Sequence, residues 1–225
     1  MMRKVAVVTG CSYGLGYDIA GRLIDEGYFV YGLSRSQPPM DLYSYPDTFE
    51  WVECDITKSK QVEEAFKTIG TYIDVLVNNA GVYQWGLFKD EFSFDSIDRI
   101  IDLNVKGTMY VTKEALRLMN KGSDIFFINS VAGLAEMEWE AVYSASKHAI
   151  TAFAGALGAE LHTQMNEIRV TSIHPGGIQT PMQKDHPARK KFLEPKEVSD
   201  TIVHVIKSKA TYKTIKLFSD VEWHQ

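Results

Sequence analysis

The segment Thr9-Gly10-Cys11-Ser12-Tyr13-Gly14-Leu15-Gly16 constrains this chain more than any other, because it runs from an apolar strand straight into a helix through three glycines. Val5-Ala6-Val7-Val8 leads in as a strand, and Ile19, Ala20, Leu23 and Ile24 follow at helical spacing. Such a turn aims backbone N–H groups and the positive end of a helix at one point, which suits a pyrophosphate. Gly10 allows the tight turn, Gly14 the close approach of a phosphate, and Gly16 the close packing of helix on sheet. A glycine-rich turn can also serve the fold alone; the strand–turn–helix context favours dinucleotide binding.

Further along, Tyr28-Phe29-Val30-Tyr31-Gly32-Leu33-Ser34, Phe49-Glu50-Trp51-Val52-Glu53-Cys54 and Asp74-Val75-Leu76-Val77-Asn78 read as strands. Val62, Ala65, Phe66 and Ile69 repeat at helical spacing before the last of these. The second half continues with a helix over about 95–119, a strand Asp124-Ile125-Phe126-Phe127-Ile128-Asn129 and a helix over about 141–164. A strand Ile168-Arg169-Val170-Thr171-Ser172-Ile173, a helix over 197–207 and a seventh strand Thr214-Ile215-Lys216-Leu217-Phe218 complete it. This alternation predicts one α/β domain over 1–225, a doubly wound, seven-stranded parallel sheet with helices on both faces. A polar, basic, proline-bracketed stretch over about 180–195 breaks the regularity and reads as a short substrate loop.

No break in composition divides the 225 residues. With 24 Lys plus Arg against 29 Asp plus Glu, the formal charge of −5 offers no broad basic surface to nucleic acid. No apolar run is long enough for a membrane span, and Met1-Met2-Arg3-Lys4 passes into a strand without the apolar core of a signal peptide, so a cytoplasmic location is expected. Cys11 and Cys54 fit neither a disulfide framework nor a zinc site, and no metal is expected. Cys54 reads as a small buried hydrophobe. Cys11 lies in the phosphate loop, where a positive field would lower its thiol pKa.

Tyr143 and Lys147 stand four apart in a helical segment, so both side chains emerge on one face. A phenol is a poor acid or base at neutral pH, and a neighbouring ammonium favours its ionised form. Ser130, just after the fifth strand, supplies a hydroxyl to the same place if that strand end faces the helix start. Together the three make a proton donor, an electrostatic tuner and a polariser for a carbonyl oxygen.

With these residues in view, the chain resembles the short-chain dehydrogenase/reductase family over about residues 4–207. The resemblance rests on the glycine motif, Asn78-Asn79-Ala80-Gly81, Asn104 in Asp102-Leu103-Asn104-Val105, Ser130, Tyr143 with Lys147, and Pro175-Gly176-Gly177 followed by Ile178 and Thr180. It implies a Rossmann-type fold with Tyr143 as general acid/base, Ser130 holding the substrate oxygen, and Lys147 meeting the nicotinamide ribose and lowering the tyrosine pKa. Asn104 would hold a water in a proton relay to Lys147. A nicotinamide cofactor would be held by Gly10, Ser12, Tyr13, Gly14, Leu15 and Gly16. Ser34, Arg35, Asp55 and Ile56 would meet its adenosine half, with Asp55 at the adenine. Asn79, Ala80 and Gly81 would flank it, Pro175 and Gly176 would also touch it, and Ile178 and Thr180 would contact its carboxamide end. The resemblance also implies a homodimer or homotetramer paired through the helices near 95–119 and 141–164. The chain departs from the family in ending Leu217-Phe218-Ser219-Asp220 rather than with a Val-Asp-Gly-Gly pattern, which bears on association through the last strand.

At the end of the second strand, Ser34-Arg35 stands where an acidic residue would bind a ribose 2′-hydroxyl, and a guanidinium there can fork onto phosphate, so NADP(H) is preferred over NAD(H). Tyr13, rather than a basic residue in the glycine loop, keeps NAD(H) open. Tyr83, Trp85, Val131, Met137, Trp139 and Met182 are candidates for a substrate wall suited to a mostly apolar carbonyl compound. Lys184, Arg189, Lys190 and Lys191 form either a solvated face or an attraction for an acidic or carrier-linked substrate. The chemistry expected is NADPH-dependent reduction of a ketone or aldehyde, reversible as alcohol oxidation. The rival is a non-catalytic module that senses NADP(H) and binds protein, which has no chemical need for Asn104, Ser130, Tyr143 and Lys147 together.

Overall fold

The computed structural model describes residues 3–39, 47–163, 167–183, 189–208 and 210–219. Lys184, the side chain of Arg189 and Asp220, all singled out above, lie outside the described residues. The elements are β1 (Val5–Thr9), α1 (Gly14–Asp25), β2 (Phe29–Ser34), β3 (Phe49–Glu53), α2 (Ser59–Ile69), β4 (Ile73–Asn78), α3 (Phe88–Glu91), α4 (Phe94–Ile101), α5 (Thr108–Leu116), β5 (Met119–Ile128), α6 (Ala141–Thr163), β6 (Arg169–Pro175), α7 (Pro195–Lys207) and β7 (Thr214–Leu217). The strands form one seven-stranded sheet in the order β3-β2-β1-β4-β5-β6-β7, with every neighbouring pair parallel.

All five residues of β1 are buried, as a strand covered on both faces requires. Val7 points into a cluster with Val62 and Phe66 of α2, Val111 of α5 and Ile150 and Leu157 of α6. Ala6 and Val8 point the other way, against Ile19 and Leu23 of α1 and Val198 and Ile202 of α7. From β1 the chain builds outward to β3 on one side, and from β4 to β7 on the other. The connections therefore diverge beyond the carboxyl ends of β1 and β4 and leave a crevice there.

The helix expected over about 95–119 differs in two ways. It runs from Phe94 to Leu116 through a π-helical turn, Asp102–Gly107, after which Arg117 and Leu118 form a turn and Met119, the last expected residue, opens β5. The apolar spacing of Leu116, Leu118 and Met119 continues across the true end, so periodicity alone could not find it. The end is set by β4, which pairs Ile73 with Met119 and then, across a register shift, Val75 with Asp124. Gly122, at φ 87°, absorbs that shift. The α7 helix starts earlier than expected, at Pro195, where a missing N–H costs nothing, and the Glu194 N–H is taken by the Glu197 carboxylate at 2.7 Å.

Close packing at the start of α1 is testable. A Cβ at Gly16 would overlap the Gly10 carbonyl oxygen and the Asn79 amide nitrogen, whereas one at Gly155, on the exposed face of α6, meets nothing within 4 Å. Gly16→Ala is therefore expected to lower stability by roughly 1–3 kcal/mol or more. Gly155→Ala is expected to raise it by roughly 0.5–1 kcal/mol. Thermal midpoints of the two variants, moving in opposite directions, check this.

Candidate active site

The glycine motif forms one end of the crevice. Gly10 and Gly14 both take the left-handed conformation, at φ 70° and 62°, and the Gly10 N–H donates to the Leu33 carbonyl at 2.8 Å. Between them Tyr13 is extended and exposed, and its side chain does not cap α1. The first-turn N–H groups of α1 thus look into a cradle that the absence of Cβ atoms keeps open, which fits a pyrophosphate. Gly14 also lies under the loop after β6: a Cβ there would come within 3.5 Å of Thr180 and Pro181.

At the β2 end, Arg35 is exposed on the crevice rim. Ser34 is more committed than its place in the motif suggests, since its hydroxyl donates to the Ser36 carbonyl at 2.7 Å and accepts from the Trp51 indole at 3.1 Å. It braces the turn that presents Arg35. Asp55 similarly turns its carboxylate onto the Thr57 backbone and hydroxyl, at 3.0 and 2.8 Å. Cys11 corrects an expectation: it is fully buried against Ser34, and burial pushes its thiol up to about 11 rather than down. Cys54 is buried too, and its thiol is likewise raised.

The other end of the crevice is built by β5 and α6. Ser130 follows β5, accepts the Ala132 N–H at 3.2 Å and lines the same end of the crevice as Tyr143. Its carbonyl is held by His174, a fully buried side chain on β6 whose other ring nitrogen meets Ser172 at 2.9 Å. One helical turn after Tyr143, the Lys147 ammonium donates to the Ile128 carbonyl at 3.1 Å and stands 5.6 Å from the centre of the Tyr143 ring. Lys147 is only 8% exposed, and burial brings its amine down to about 8. The sequence reading expects Lys147 to draw the phenol of Tyr143 down. In the structure the balance runs the other way, because burial and the charge of Glu140 push the phenol up and the Ser130 hydroxyl only partly opposes them.

One continuous crevice is lined by the whole set of residues anticipated for the cofactor, from Gly10 to Thr180, together with Ser130 and Met182. Asn104 stands behind the wall instead. Its Oδ1 accepts the Val82 N–H at 2.8 Å, and its Nδ2 donates to the Val82 carbonyl at 2.9 Å and the Ser146 hydroxyl at 3.1 Å, so its side chain is engaged in joining the π-helical turn to the segment after β4 and to α6. Of the anticipated substrate wall, only Met182 lines this crevice. Val131 and Met137 sit on the half-buried segment after Ser130. Trp85 and Trp139, 59% and 57% exposed, pack on each other at 6.4 Å outside it. The Trp139 carbonyl accepts the Gly86 N–H at 2.7 Å, and Trp139 itself is held at φ 62°, a costly conformation for a bulky side chain. Lys190 and Lys191 are exposed in a short turn away from the crevice lining.

Two side chains that brace the site escaped sequence reasoning. Thr9 takes two backbone N–H groups, from Asn79 and Ala80, on its hydroxyl. Asn129 ties its amide to the Lys147 carbonyl and Thr151 hydroxyl, at 3.2 and 2.9 Å. Tyr83, expected in the substrate wall, does not line the crevice: its ring is edge-on to Tyr143, centroids 4.9 Å apart, and its hydroxyl donates to Glu140. Thr9 and Asn129 each adjoin a recognised motif, which was the available signal; nothing in the sequence connects Tyr83 with Glu140.

Known proteins place this geometry. The family model described as short chain dehydrogenase matches residues 4–191. An uncharacterized oxidoreductase of Staphylococcus aureus (strain MRSA252) is 32% identical over 213 residues, covering 90% of each chain. The farnesol dehydrogenase of Aedes aegypti is 31% identical over 219 residues, 90% of this chain and 89% of that one. Among solved structures, an actinorhodin polyketide ketoreductase variant with NADPH superposes with a TM-score of 0.87 at 26% identity, covering 99% of this chain and 98% of that one. The 3-oxoacyl-[acyl-carrier protein] reductase from Brucella melitensis in complex with NAD gives 0.86 at 25% identity, covering 96% of both. Among the described residues no helix is long and apolar enough to cross a membrane. A Rossmann-like sheet, a glycine-lined crevice and a Ser130–Tyr143–Lys147 cluster at its far end thus agree with the family match: the chain belongs to the short chain dehydrogenase family of oxidoreductases.

Proposed function

We propose that this protein is an NADP(H)-dependent carbonyl reductase that converts a mostly apolar ketone or aldehyde to an alcohol, reversibly. The observation that carries the reading is the convergence of Ser130, the phenol of Tyr143 and the buried Lys147 ammonium, one helical turn from Tyr143, at the end of a crevice that begins in a phosphate cradle. When bound there, the nicotinamide supplies the hydride to the carbonyl carbon or accepts it back. Ser130 holds the carbonyl oxygen, and Tyr143 gives it a proton. A phenol raised by burial stays protonated at neutral pH, which is the form that reduction needs. Negative charge growing on the oxygen is met by the two hydroxyls and by the Lys147 ammonium, in a site with little water to screen them.

The preference for NADP(H) is supported by Arg35 on the rim, braced by Ser34, where no carboxylate ends β2. An apolar substrate is supported by Met182 in the crevice lining. A cytoplasmic homodimer or homotetramer accords with the family and with Phe94 at the start of α4, which is 88% exposed.

NADPH is expected to bind at least about tenfold more tightly than NADH, since a 2′-phosphate gains a charge-assisted fork from Arg35. Fluorescence titration checks this, and equal constants would remove Arg35 from the role. With a panel of carbonyl compounds and NADPH consumption followed by absorbance, Tyr143→Phe is expected to lower kcat by roughly 10²-fold or more while NADPH affinity stays near wild type. A variant keeping more than about a tenth of wild-type kcat would sink the acid role of Tyr143. Lys147→Ala is expected to damage both turnover and NADPH binding.

Burial of Lys147 also has a measurable cost to the fold. Its amine titrates at about 8 in the folded protein against an ordinary 10.5, so the folded state holds the proton less well than the unfolded chain. The penalty is complete below about pH 8 and fades as pH rises to 10.5. Lys147→Met is therefore expected to stabilise the protein at neutral pH by roughly 1–3 kcal/mol while abolishing activity. The gap from wild type should narrow between pH 8 and 10.5, as denaturant titrations at several pH values would read.

A further inference from the structure

Two side chains that line no part of the crevice stand directly behind its reactive phenol. The Tyr83 hydroxyl donates to Glu140 Oε1 at 2.7 Å, a bond spanning 57 residues of chain, and the Tyr83 ring meets Tyr143 edge-on at 90°. Glu140 immediately precedes α6, where its carbonyl accepts the Ser144 N–H at 2.7 Å, so it enters the helix one turn ahead of Tyr143. An acid in that position ordinarily serves the helix by meeting the positive end of its dipole. Here the carboxylate is half-buried and its hydrogen bond runs to Tyr83, on the segment after β4.

We propose that Glu140 is a positioning residue for the proton transfer: through Tyr83 it fixes the Tyr143 ring from the side, and it sets a carboxylate charge near the phenol that fixes the pH at which the proton is released. The proposal rests on Tyr143 as the acid of the proposed reaction. The titratable groups facing Tyr143 are Tyr83 and Glu140 on one side, Lys147 one turn on and, across the Ser130 carbonyl, His174. Glu140 opposes phenol ionisation, whereas an ammonium at Lys147 favours it, so the two bracket the acid from opposite signs. Burial raises Glu140 and the Tyr83 hydrogen bond partly opposes it, and at the alkaline pH where a phenol titrates the carboxylate carries its charge with or without that bond. The arrangement holds Tyr143 protonated over a wider pH range and biases the site toward reduction.

The test compares pH profiles of kcat/KM. Glu140→Gln removes the charge and keeps an acceptor for Tyr83, and the limb belonging to Tyr143 is expected to move to lower pH by roughly half a unit or more in both reaction directions. Tyr83→Phe keeps the ring and the Glu140 charge; its limb is expected to stay in place while kcat falls severalfold with little change in KM. A Glu140→Gln protein whose limb does not move overturns the proposal, whatever its rate or thermal midpoint, and leaves Glu140 as an acid of the helix start. Glu140→Ala is the second charge-removing variant. If neither it nor Glu140→Gln folds while Tyr83→Phe does, the carboxylate belongs to the fold and the proposal is overturned as well. If wild type turns over no carbonyl compound, the functional reading fails by itself. The tyrosinate absorbance of wild type minus Tyr143→Phe, titrated with and without Glu140→Gln, then decides the proposal: a downward shift of the phenol supports it, and no shift overturns it.

Discussion

At the carboxyl ends of β1 and β4 a single buried hydroxyl, that of Thr9, accepts the N–H groups of both Asn79 and Ala80 at 3.0 Å, and the Asn79 amide returns the contact to the Thr9 carbonyl at 2.9 Å. Two buried N–H groups without partners would cost about 1–3 kcal/mol each, so this small network decides whether the two strands can end side by side. The rest of the crevice follows from it. Gly16 can bring α1 down onto Gly10 and Asn79 only because those atoms are already fixed, and the cradle of N–H groups has a defined floor only because the strand ends do not part. Asn79 and Ala80 are then carried to the middle of the crevice, between the phosphate cradle and the β5–α6 end.

The β5–α6 end of the crevice is held in the same manner but at greater cost. Lys147 leaves water for one backbone carbonyl and the face of a phenol ring, and Asn104 interrupts a helix with a π-helical turn so that its amide can reach Val82 and Ser146. Trp139 is held in a left-handed conformation nearby. A site of this kind concentrates buried charge, helix irregularity and strained backbone in one place, where proteins commonly keep features that the fold alone would not select. His174 and Asn129 carry the counterweight, pinning the Ser130 carbonyl and the Lys147 carbonyl from β6 and β5.

Sequence reasoning reached the sheet because β1 and the later parts of β4 (Val75–Val77) and β5 (Ile125–Ile128) are apolar runs and the first and last helices bury a single stripe, so local pattern and global fold agree. It missed where α5 ends, because that boundary is set by pairing between Ile73 and Met119 rather than by any local signal. Motif residues from Gly10 to Thr180 do meet in one crevice, as their spacing along successive strand ends suggests. The misplaced residues fail for a shared reason. Trp85 and Trp139 looked like wall because they are large and apolar, yet the Gly86–Trp139 backbone bond turns them onto each other. The direction of the Tyr143 shift was invisible because it depends on how deeply the phenol is buried and on Glu140, quantities that exist only after folding.

The loop after β6 departs and returns through one place: Ile178 forms an isolated parallel bridge with Leu193, the Leu193 N–H donates to Gly177, and the Gln179 N–H donates to Leu193. Gly177 at the foot faces the Phe192 ring so closely that a Cβ there would overlap it. The loop is thereby closed at its base before α7 begins, and its ends are tied to each other as well as to the sheet. Because the entropy of closing a loop grows only slowly with its length, about 0.6 kcal/mol for each doubling, residues can be inserted or removed beyond this clasp at small expense to the whole. The clasp thus separates two kinds of constraint in one molecule: strand ends where buried partners and missing Cβ atoms leave little room for change, and a connection whose length the fold does not fix.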